Sequence, residues 1–218
     1  MKQRHTFLIV SLSLVMWLAY WALKRALLTA PVVRRQRAKL ADLKTGDLLL
    51  WSHKGKAFMD FGKVLTGSEF THVGILFVDS AGKPFVWEIR GFKNPRLNSL
   101  LKRLGEPTSC IVRHLHSVNP INLWKFEQCI RQFRNFTYSL EFFRSIVSTW
   151  NLPMPAVKPN RGSVFCSELV ALTYAALGVL FLQDYPAADT LVSHFSQQHQ
   201  RLSLTSGHAF GPELQLTD

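Results

Sequence analysis

The sequence is poor in cysteine, and this scarcity excludes two classes of protein. Its 218 residues include 3 cysteines, Cys110, Cys129 and Cys166. These are too few and too scattered for a disulfide framework, and no pair has the Cys-x-x-Cys spacing typical of zinc sites or thioredoxin-like redox sites. The length suits one domain with a terminal appendage better than two full domains. One cysteine is therefore a candidate for a chemical role.

Acidic residues are also scarce, and part of the basic excess is clustered. The chain has 26 lysines and arginines against 14 acidic residues, a net charge of +12. A basic cluster follows residue 23 and consists of Lys24, Arg25, Arg34, Arg35, Arg37 and Lys39. Such a cluster is typical of a nucleic-acid-binding arm or of a segment beside a bilayer. Because an apolar segment adjoins it and no aromatic residues are interleaved with it, we expect an anionic lipid surface, and no nucleic acid, as its partner.

Residues 6–23 contain no charged residue and predict a transmembrane helix. At roughly 1.5 Å per residue, a helix of this length covers the hydrocarbon core of a bilayer. The alternative is a cleaved signal peptide in which Lys2 and Arg4 form the basic start. However, Leu28 stands where a cleavage site needs a small residue, and the apolar run is long for a signal peptide. We therefore predict an uncleaved membrane anchor and basic neck over residues 1–40.

The globular domain is predicted over residues 41–218, on the cytoplasmic side of the membrane. Basic residues are more numerous after the apolar segment than before it, and the more basic flank of a span stays in the cytoplasm. Near the start of this domain, Gly46 and Asp47 predict a turn, and the apolar residues 48–51 predict a buried strand.

A β-hairpin is predicted over residues 72–90, because apolar residues alternate in two short segments on either side of residues 79–83. Gly82 in that connection suits the left-handed position of a three-residue hairpin loop. One register pairs every apolar residue with an apolar partner: Phe77 with Phe85, Ile75 with Trp87, and Val73 with Ile89. The same register places His72 one diagonal step from Glu88 on the opposite face, which also carries Gly74 and Arg90.

A histidine beside a carboxylate is half of a nucleophilic triad. The carboxylate holds the imidazole in one tautomer and stabilises its cationic form. Taken alone, the pattern has ordinary explanations as well. A histidine at the start of a strand is commonly a polar residue whose hydrogen bonds are made by its neighbours, and an ion pair with Arg90 is an ordinary role for Glu88.

Two helices are predicted between the hairpin and Cys166. Asn119 and Pro120 predict the start of the first, in which Leu123, Phe126, Ile130 and Phe133 form an apolar stripe. Cys129 lies on the same broad face, which predicts a buried structural thiol. The second helix is predicted over residues 140–147 and is ended by the proline-containing residues 151–162.

Cys166 is predicted in the first turn of an apolar helix. Ser163 is the expected N-cap, which places Cys166 at position N3 of a helix that runs to about residue 177, where Gly178 follows. Unsatisfied N–H groups and the helix dipole at such a position stabilise a thiolate, and the same N–H groups can bind a developing oxyanion. The alternative is a cysteine that only packs in the core.

Four stretches in this order resemble a known family: GDLLLW, THVGILF, VWEIRG and FCSELVALTYAALG. They are similar to the circularly permuted papain-like cysteine hydrolases of the YiiX/YebB type, within the NlpC-type superfamily, in which the histidine strand precedes the cysteine helix. The resemblance covers residues 43–196 and includes NFTYS before the second helix and YPAADTLVSHFS after the cysteine helix.

The resemblance implies an α+β, permuted papain-like fold with a small antiparallel sheet packed against helices. It implies that Cys166 is the nucleophile, that His72 is the general base and then acid, and that Glu88 orients His72. Glu168 matches the Cys-Ser-Glu motif, and an acidic residue suits the first turn of a helix, but its role stays open. No metal and no organic cofactor is implied. Substrates of this class are acyl, lipid or peptide compounds with an amide, ester or thioester bond.

A second hypothesis is a membrane-tethered binding or assembly protein that keeps the fold without turnover. The high basic charge and the N-terminal extension favour it, whereas a complete set of Cys166, His72 and Glu88 favours a cysteine hydrolase or acyltransferase.

Overall fold

A computed structural model describes residues 35–53, 63, 68–91, 93–106, 108–139, 162–182 and 187–216. The predicted membrane span over residues 6–23 and the predicted helix over residues 140–147 lie outside these ranges. Within the described ranges, no helix combines the length and apolar character needed to cross a bilayer.

A seven-stranded, mainly antiparallel sheet forms the centre of the molecule. The strands of the described residues are β1 (Arg37–Ala38), β2 (Leu48–His53), β3 (His72–Val78), β4 (Pro84–Glu88), β5 (Arg96–Ser99), β6 (Thr108–Arg113), β7 (Leu115–Ser117), β8 (Thr137–Tyr138), β9 (Ser163–Val164), β10 (His208–Phe210) and β11 (Leu214–Leu216). The large sheet has the order β1-β11-β6-β2-β3-β4-β5, with β1 parallel to β11. The predicted buried strand and the predicted mixed α+β class are present.

Helices lie on both faces of this sheet. They are α1 (Leu100–Leu104), α2 (Leu123–Phe133) and α3 (Cys166–Ala176), with short 3-10 turns at Leu40–Asp42, Ala187–Asp189 and Val192–Phe195. The apolar sides of α2 and α3 share one buried cluster with alternate residues of β2, β3 and β4. The other face carries a second, smaller cluster that includes Leu100 of α1. The sheet thus separates α3 from α1.

The β3–β4 hairpin has the predicted register. Ile75 pairs with Trp87 and Phe77 with Phe85, and Gly82 in the connection has a φ of +75°. The expected third pair is not part of the ladder because β4 ends at Glu88, although Val73 and Ile89 are buried in the same cluster.

Gly74 allows the two hairpin strands to approach closely beside Glu88. A Cβ atom at this glycine would lie 2.7 Å from Val86 Cγ1 and 3.2 Å from Glu88 Cβ. Such contacts are far inside van der Waals distance, so a larger residue would displace the strand that carries Glu88.

The helix α2 begins later than the sequence predicts. Its N-cap is Asn122, whose side chain accepts a hydrogen bond from the backbone N–H of Lys125 at 3.0 Å, and not Asn119. Ile121, the residue before this N-cap, packs its side chain over Gly46, and Val118 and Asn119 form a bend ahead of the helix. Cys129 is buried on the inner face of α2, as predicted.

The start of α3 also differs from the prediction. Ser163 is not its N-cap, because Ser163 belongs to β9 and pairs with Thr137 of β8. Backbone hydrogen bonds on either side, including Ser139 N–H to the Val164 carbonyl at 2.9 Å, hold this segment extended. Cys166 is therefore the first helical residue, N1, and not N3. The helix ends at Ala176, and Gly178 follows with a φ of +78°, as expected.

Two polar contacts fasten α3 to the sheet. Tyr174 donates its hydroxyl to the Gly46 carbonyl at 2.8 Å, and Trp87 Nε1 donates to Thr173 Oγ1 at 3.1 Å. Both lie in the buried interior, where such bonds fix how a helix sits on a sheet. They determine where the N-terminus of α3, and with it Cys166, lies relative to β3.

Candidate active site

The structure brings Cys166 and His72 together at one end of the sheet. Cys166 belongs to α3, which packs on one face of the sheet. The side chain of His72 lies on the opposite face, because side chains alternate along β3. His72 is the first residue of β3, so its ring can reach around the strand end to the N-terminus of α3. The imidazole lies beside Cys166, whose interaction with it helps to raise the pKa of His72.

Glu88 occupies the other side of the imidazole. His72 Nε2 lies 2.6 Å from Glu88 Oε2, which is the neighbour relation predicted from the hairpin register. With Nε2 held by the carboxylate, Nδ1 is the ring nitrogen left for the sulfur of Cys166. The three residues singled out by the sequence therefore lie together as one series, Cys166–His72–Glu88.

The surroundings of His72 favour its protonated form. Burial acts to lower the pKa of His72, but hydrogen bonds to Cys166 and Glu88 and the charges of both groups outweigh it and raise the pKa to about 9. At neutral pH the ring is thus an imidazolium that lies between the sulfur of Cys166 and the carboxylate of Glu88.

Glu88 is completely buried, yet it remains a strong anionic partner. Burial acts to raise the pKa of this carboxyl, but the hydrogen bond and charge of His72, followed by the charges of Arg103 and Arg90, hold it below its usual value. Asn98 Nδ2 donates to Oε1 at 2.9 Å. Arg103 Nε lies 3.0 Å from the same oxygen as an ion pair, although its N–H is not aligned for a hydrogen bond.

The expected pairing of Glu88 with Arg90 is absent from the hydrogen bonds of the described residues. Arg90 instead donates twice to Glu106, at 2.9 Å each. Glu88 takes Arg103 and Asn98 as its partners, and sequence reasoning found neither residue. Their elements, β5 and α1, are too short to show a periodic pattern, so no local signal could have placed them beside Glu88.

Tyr138 is a further residue near the sulfur. It pairs with Val164 across the short β8–β9 ladder, two residues before Cys166. Burial, followed by the negative charge of Cys166, raises the pKa of Tyr138. Its phenol is therefore a neutral group that can donate a hydrogen bond. The signal for Tyr138 in the sequence was its place in the NFTYS stretch.

Glu168 supports the start of α3. Its Oε2 accepts a hydrogen bond from the backbone N–H of Phe165 at 3.4 Å. A carboxylate at N3 that reaches back to the N-cap is one half of a capping box, and its charge suits the positive end of the helix. This contact matches the structural role considered from the sequence.

The other two cysteines lie in apolar surroundings. Cys129 is part of the core between α2 and α3, and burial raises the pKa of its thiol. Burial also raises the pKa of Cys110, which lies on the opposite side of the sheet. Both shifts disfavour the thiolate, which is the reactive form.

Comparisons with known proteins give a structural neighbour and no family assignment. No family model matches the chain, and no curated protein matches it. The fold is similar to the crystal structure of the metalloprotein YiiX from Escherichia coli O157:H7, at 21% sequence identity and a TM-score of 0.46. The match covers 62% of this chain and 67% of that one. Within the ranges that the structure describes, no group of three or more His, Cys, Asp and Glu side chains fits a metal ion.

Proposed function

We propose that the protein is a membrane-anchored cysteine hydrolase or acyltransferase with a permuted papain-like fold. Cys166 attacks the carbonyl carbon of an amide, ester or thioester, His72 moves the protons, and Glu88 orients His72. The observation that carries this proposal is the buried series Cys166–His72–Glu88, in which the imidazole contacts Glu88 at 2.6 Å and interacts with Cys166.

Acylation is the first half of the proposed reaction. The Cys166 thiolate forms a bond to the carbonyl carbon while the carbonyl π electrons move to oxygen, which gives a tetrahedral oxyanion. When the carbonyl re-forms, the bond to the leaving nitrogen, oxygen or sulfur breaks, and His72 donates its proton from Nδ1 to that atom. The products are a thioacyl enzyme, a neutral imidazole and the protonated leaving group.

In deacylation, His72 accepts a proton instead of donating one. Neutral His72 accepts a proton from water, or from the hydroxyl or amine of an acceptor, as that group attacks the thioester carbonyl. Collapse of the second tetrahedral intermediate breaks the bond to sulfur and restores the Cys166 thiolate beside an imidazolium. Water gives hydrolysis, and another acceptor gives acyl transfer.

The start of α3 provides donors for the oxyanion. Cys166 is residue N1, so its backbone N–H has no partner within the helix. A peptide N–H at a helix N-terminus, next to the attacking sulfur, is well placed to stabilise the charge that develops on the carbonyl oxygen. We assign this N–H to the oxyanion. No cofactor takes part in the proposed steps.

The proposed membrane association rests on the uncharged residues 6–23 and the basic residues after them. Arg35 has protein partners, since its guanidinium pairs with Glu69 and with Glu213 at 2.9 Å. Arg37 lies in β1 of the sheet. We therefore leave Arg35 out and assign lipid contact to Lys24, Arg25 and Arg34 and to the exposed Arg37 and Lys39. We propose a cytoplasmic domain that acts on acyl, lipid or peptide substrates. Protease protection of a reporter fused to the C-terminus in intact cells tests this orientation.

Two variants test the proposed chemistry. Wild-type protein, Cys166→Ala and His72→Ala are assayed against panels of esters, thioesters, amides and peptides. We expect each variant to lose activity at least about 100-fold, the scale on which a nucleophile or a general acid–base contributes. Cys129→Ala is the matched control, because it removes a thiol from the core and should keep turnover. Activity that survives both variants would contradict the proposal.

The tethered binding protein remains the second candidate function. The near-complete burial of Cys166, with 8% of the residue exposed, restricts access to the sulfur and is the observation that favours it. It predicts no turnover on any panel by the wild-type protein. Binding of a ligand that is unaffected by Cys166→Ala would support this candidate over the enzyme.

A further inference from the structure

We propose that Arg103 is a positioning residue that keeps Glu88 ionised and directs its Oε2 toward His72. The inference rests on the proposed function, because it assigns a role to a residue behind the same site. Arg103 touches neither His72 nor Cys166 in the hydrogen bonds and ion pairs of the described residues, so it acts through Glu88.

Glu88 needs a cation besides His72. Its side chain is 0% exposed, and an isolated carboxylate so deeply buried would take up a proton rather than remain charged. Arg103 supplies the compensating charge at 3.0 Å from Oε1, and its own side chain is 2% exposed. A guanidinium is always charged, so it can hold the carboxylate ionised while His72 gains and loses its proton.

The two carboxylate oxygens have different partners. Oε1 accepts from Asn98 Nδ2 at 2.9 Å and faces Arg103, whereas Oε2 faces His72 Nε2 at 2.6 Å. A rotation of the carboxylate would break the contacts of Oε1. Asn98 and Arg103 therefore fix the orientation of the carboxylate that faces the imidazole, and this orients the ring so that Nδ1 is left for the sulfur of Cys166.

Arg103 is itself held from two further sides. Its guanidinium carbon lies 4.7 Å from the centre of the Trp51 ring, which is the distance of a cation–π contact. Its Nη1 also donates to Glu106, which Arg90 binds through two hydrogen bonds of 2.9 Å. A group restrained in this way can position another group, because its own orientation has little freedom.

The test measures the titration of His72 in the full-length chain, without substrate. Histidine labelled with nitrogen-15 is titrated by NMR in wild-type protein, Arg103→Met and Arg103→Lys, and the signal is assigned with His72→Gln. Without the arginine charge, Glu88 binds a proton more readily, and His72 is left with a weaker anionic partner. We expect the midpoint of His72 in Arg103→Met to fall by at least about one pH unit, with partial recovery in Arg103→Lys.

The alkaline limb of kcat/KM against pH should move in the same direction as the His72 midpoint. Lys102→Met is the matched control, because Lys102 is exposed on the same helix and should leave the midpoint unchanged. A His72 midpoint that is unchanged or higher in Arg103→Met would overturn the inference. If Arg103 acted on His72 only by repulsion between positive charges, its removal would raise that midpoint.

The outcomes separate this inference from the proposed function. The NMR midpoint needs no turnover, so Arg103 can prove to position Glu88 even if no substrate is hydrolysed. Where Arg103→Met does not fold, Arg103→Gln is titrated instead, since it removes the charge beside Glu88 and keeps a polar side chain. An unchanged midpoint in this folded variant would overturn the inference.

Discussion

The charge state of His72 should appear directly in the pH dependence of protein stability. The Cys166 and Glu88 hydrogen bonds overcome the effect of burial and raise the pKa of His72 from the ordinary 6.5 to about 9 in the folded chain. Between these values the native state binds a proton that the unfolded state does not hold. The free energy of unfolding must therefore fall as pH rises through this window.

The size of this effect follows from the two pKa values. Each pH unit between them corresponds to about 1.4 kcal/mol, so protonation of His72 contributes about 3 kcal/mol below pH 6.5. About 2.5 kcal/mol of this contribution is present at pH 7, about 0.4 kcal/mol at pH 9 and almost none at pH 10. His72 is 7% exposed, so solvent screening changes these values little.

Urea unfolding between pH 7 and pH 10 measures this contribution. Wild-type protein should lose about 2.5 kcal/mol more than His72→Gln over this range, because the variant lacks the imidazole that deprotonates there. His194→Gln is the control. Burial and the nearby charges of Arg201 and His199 lower the pKa of His194 to about 4, so that residue is neutral throughout the range. Equal slopes for wild-type protein and His72→Gln would refute a protonated His72.

Two further predictions concern the parts of the fold that position the site. Gly74→Ala should destabilise the protein by about 1–3 kcal/mol in chemical denaturation, because its Cβ would lie 2.7 Å from Val86 Cγ1. Gly105→Ala, where the nearest atom lies at 3.7 Å, should change stability little, and equal losses in the two variants would contradict the close approach. Tyr174→Phe should cost about 1 kcal/mol, because it removes the buried hydrogen bond to the Gly46 carbonyl. A melting temperature equal to that of wild-type protein would show that this bond contributes nothing.

The hairpin and its polar pair could be predicted from the sequence because their determinants are local. Strict alternation and the Gly82 connection allow one favourable register, and that register implies the contact between His72 and Glu88. The structure confirms it with a distance of 2.6 Å between Nε2 and Oε2.

Long-range contacts explain the predictions that were wrong. Ser163 has the chemistry of an N-cap, but its backbone pairs with Thr137 of β8, and this pairing delays the helix until Cys166. The N-cap of α2 is Asn122 instead of Asn119, and Ile121 beside it packs over Gly46. At α3 the pairing with Thr137, and not the capping chemistry of Ser163, determines where the helix begins, and its N-cap is Phe165.

The ion pair behind the site could not be predicted at all. Arg103 reaches Glu88 only because β5 pairs with β4 and α1 then turns back over the sheet. A helix of five residues is too short to show a hydrophobic pattern, and nothing in the sequence distinguishes Arg103 from the other arginines. The membrane anchor stays a prediction from the sequence, because residues 6–23 lie outside the described ranges.

Alkylation of Cys166 tests the central claim most directly, because it reports the state of the sulfur without any choice of substrate. Wild-type protein and His72→Gln are treated with iodoacetamide at pH 6.5, and the rate of modification of each cysteine is followed by mass spectrometry. An imidazolium beside the sulfur predicts that Cys166 is alkylated much faster than Cys129, and that His72→Gln removes this difference. If Cys166 and Cys129 react at the same rate in the folded wild-type protein, Cys166 is not an activated nucleophile.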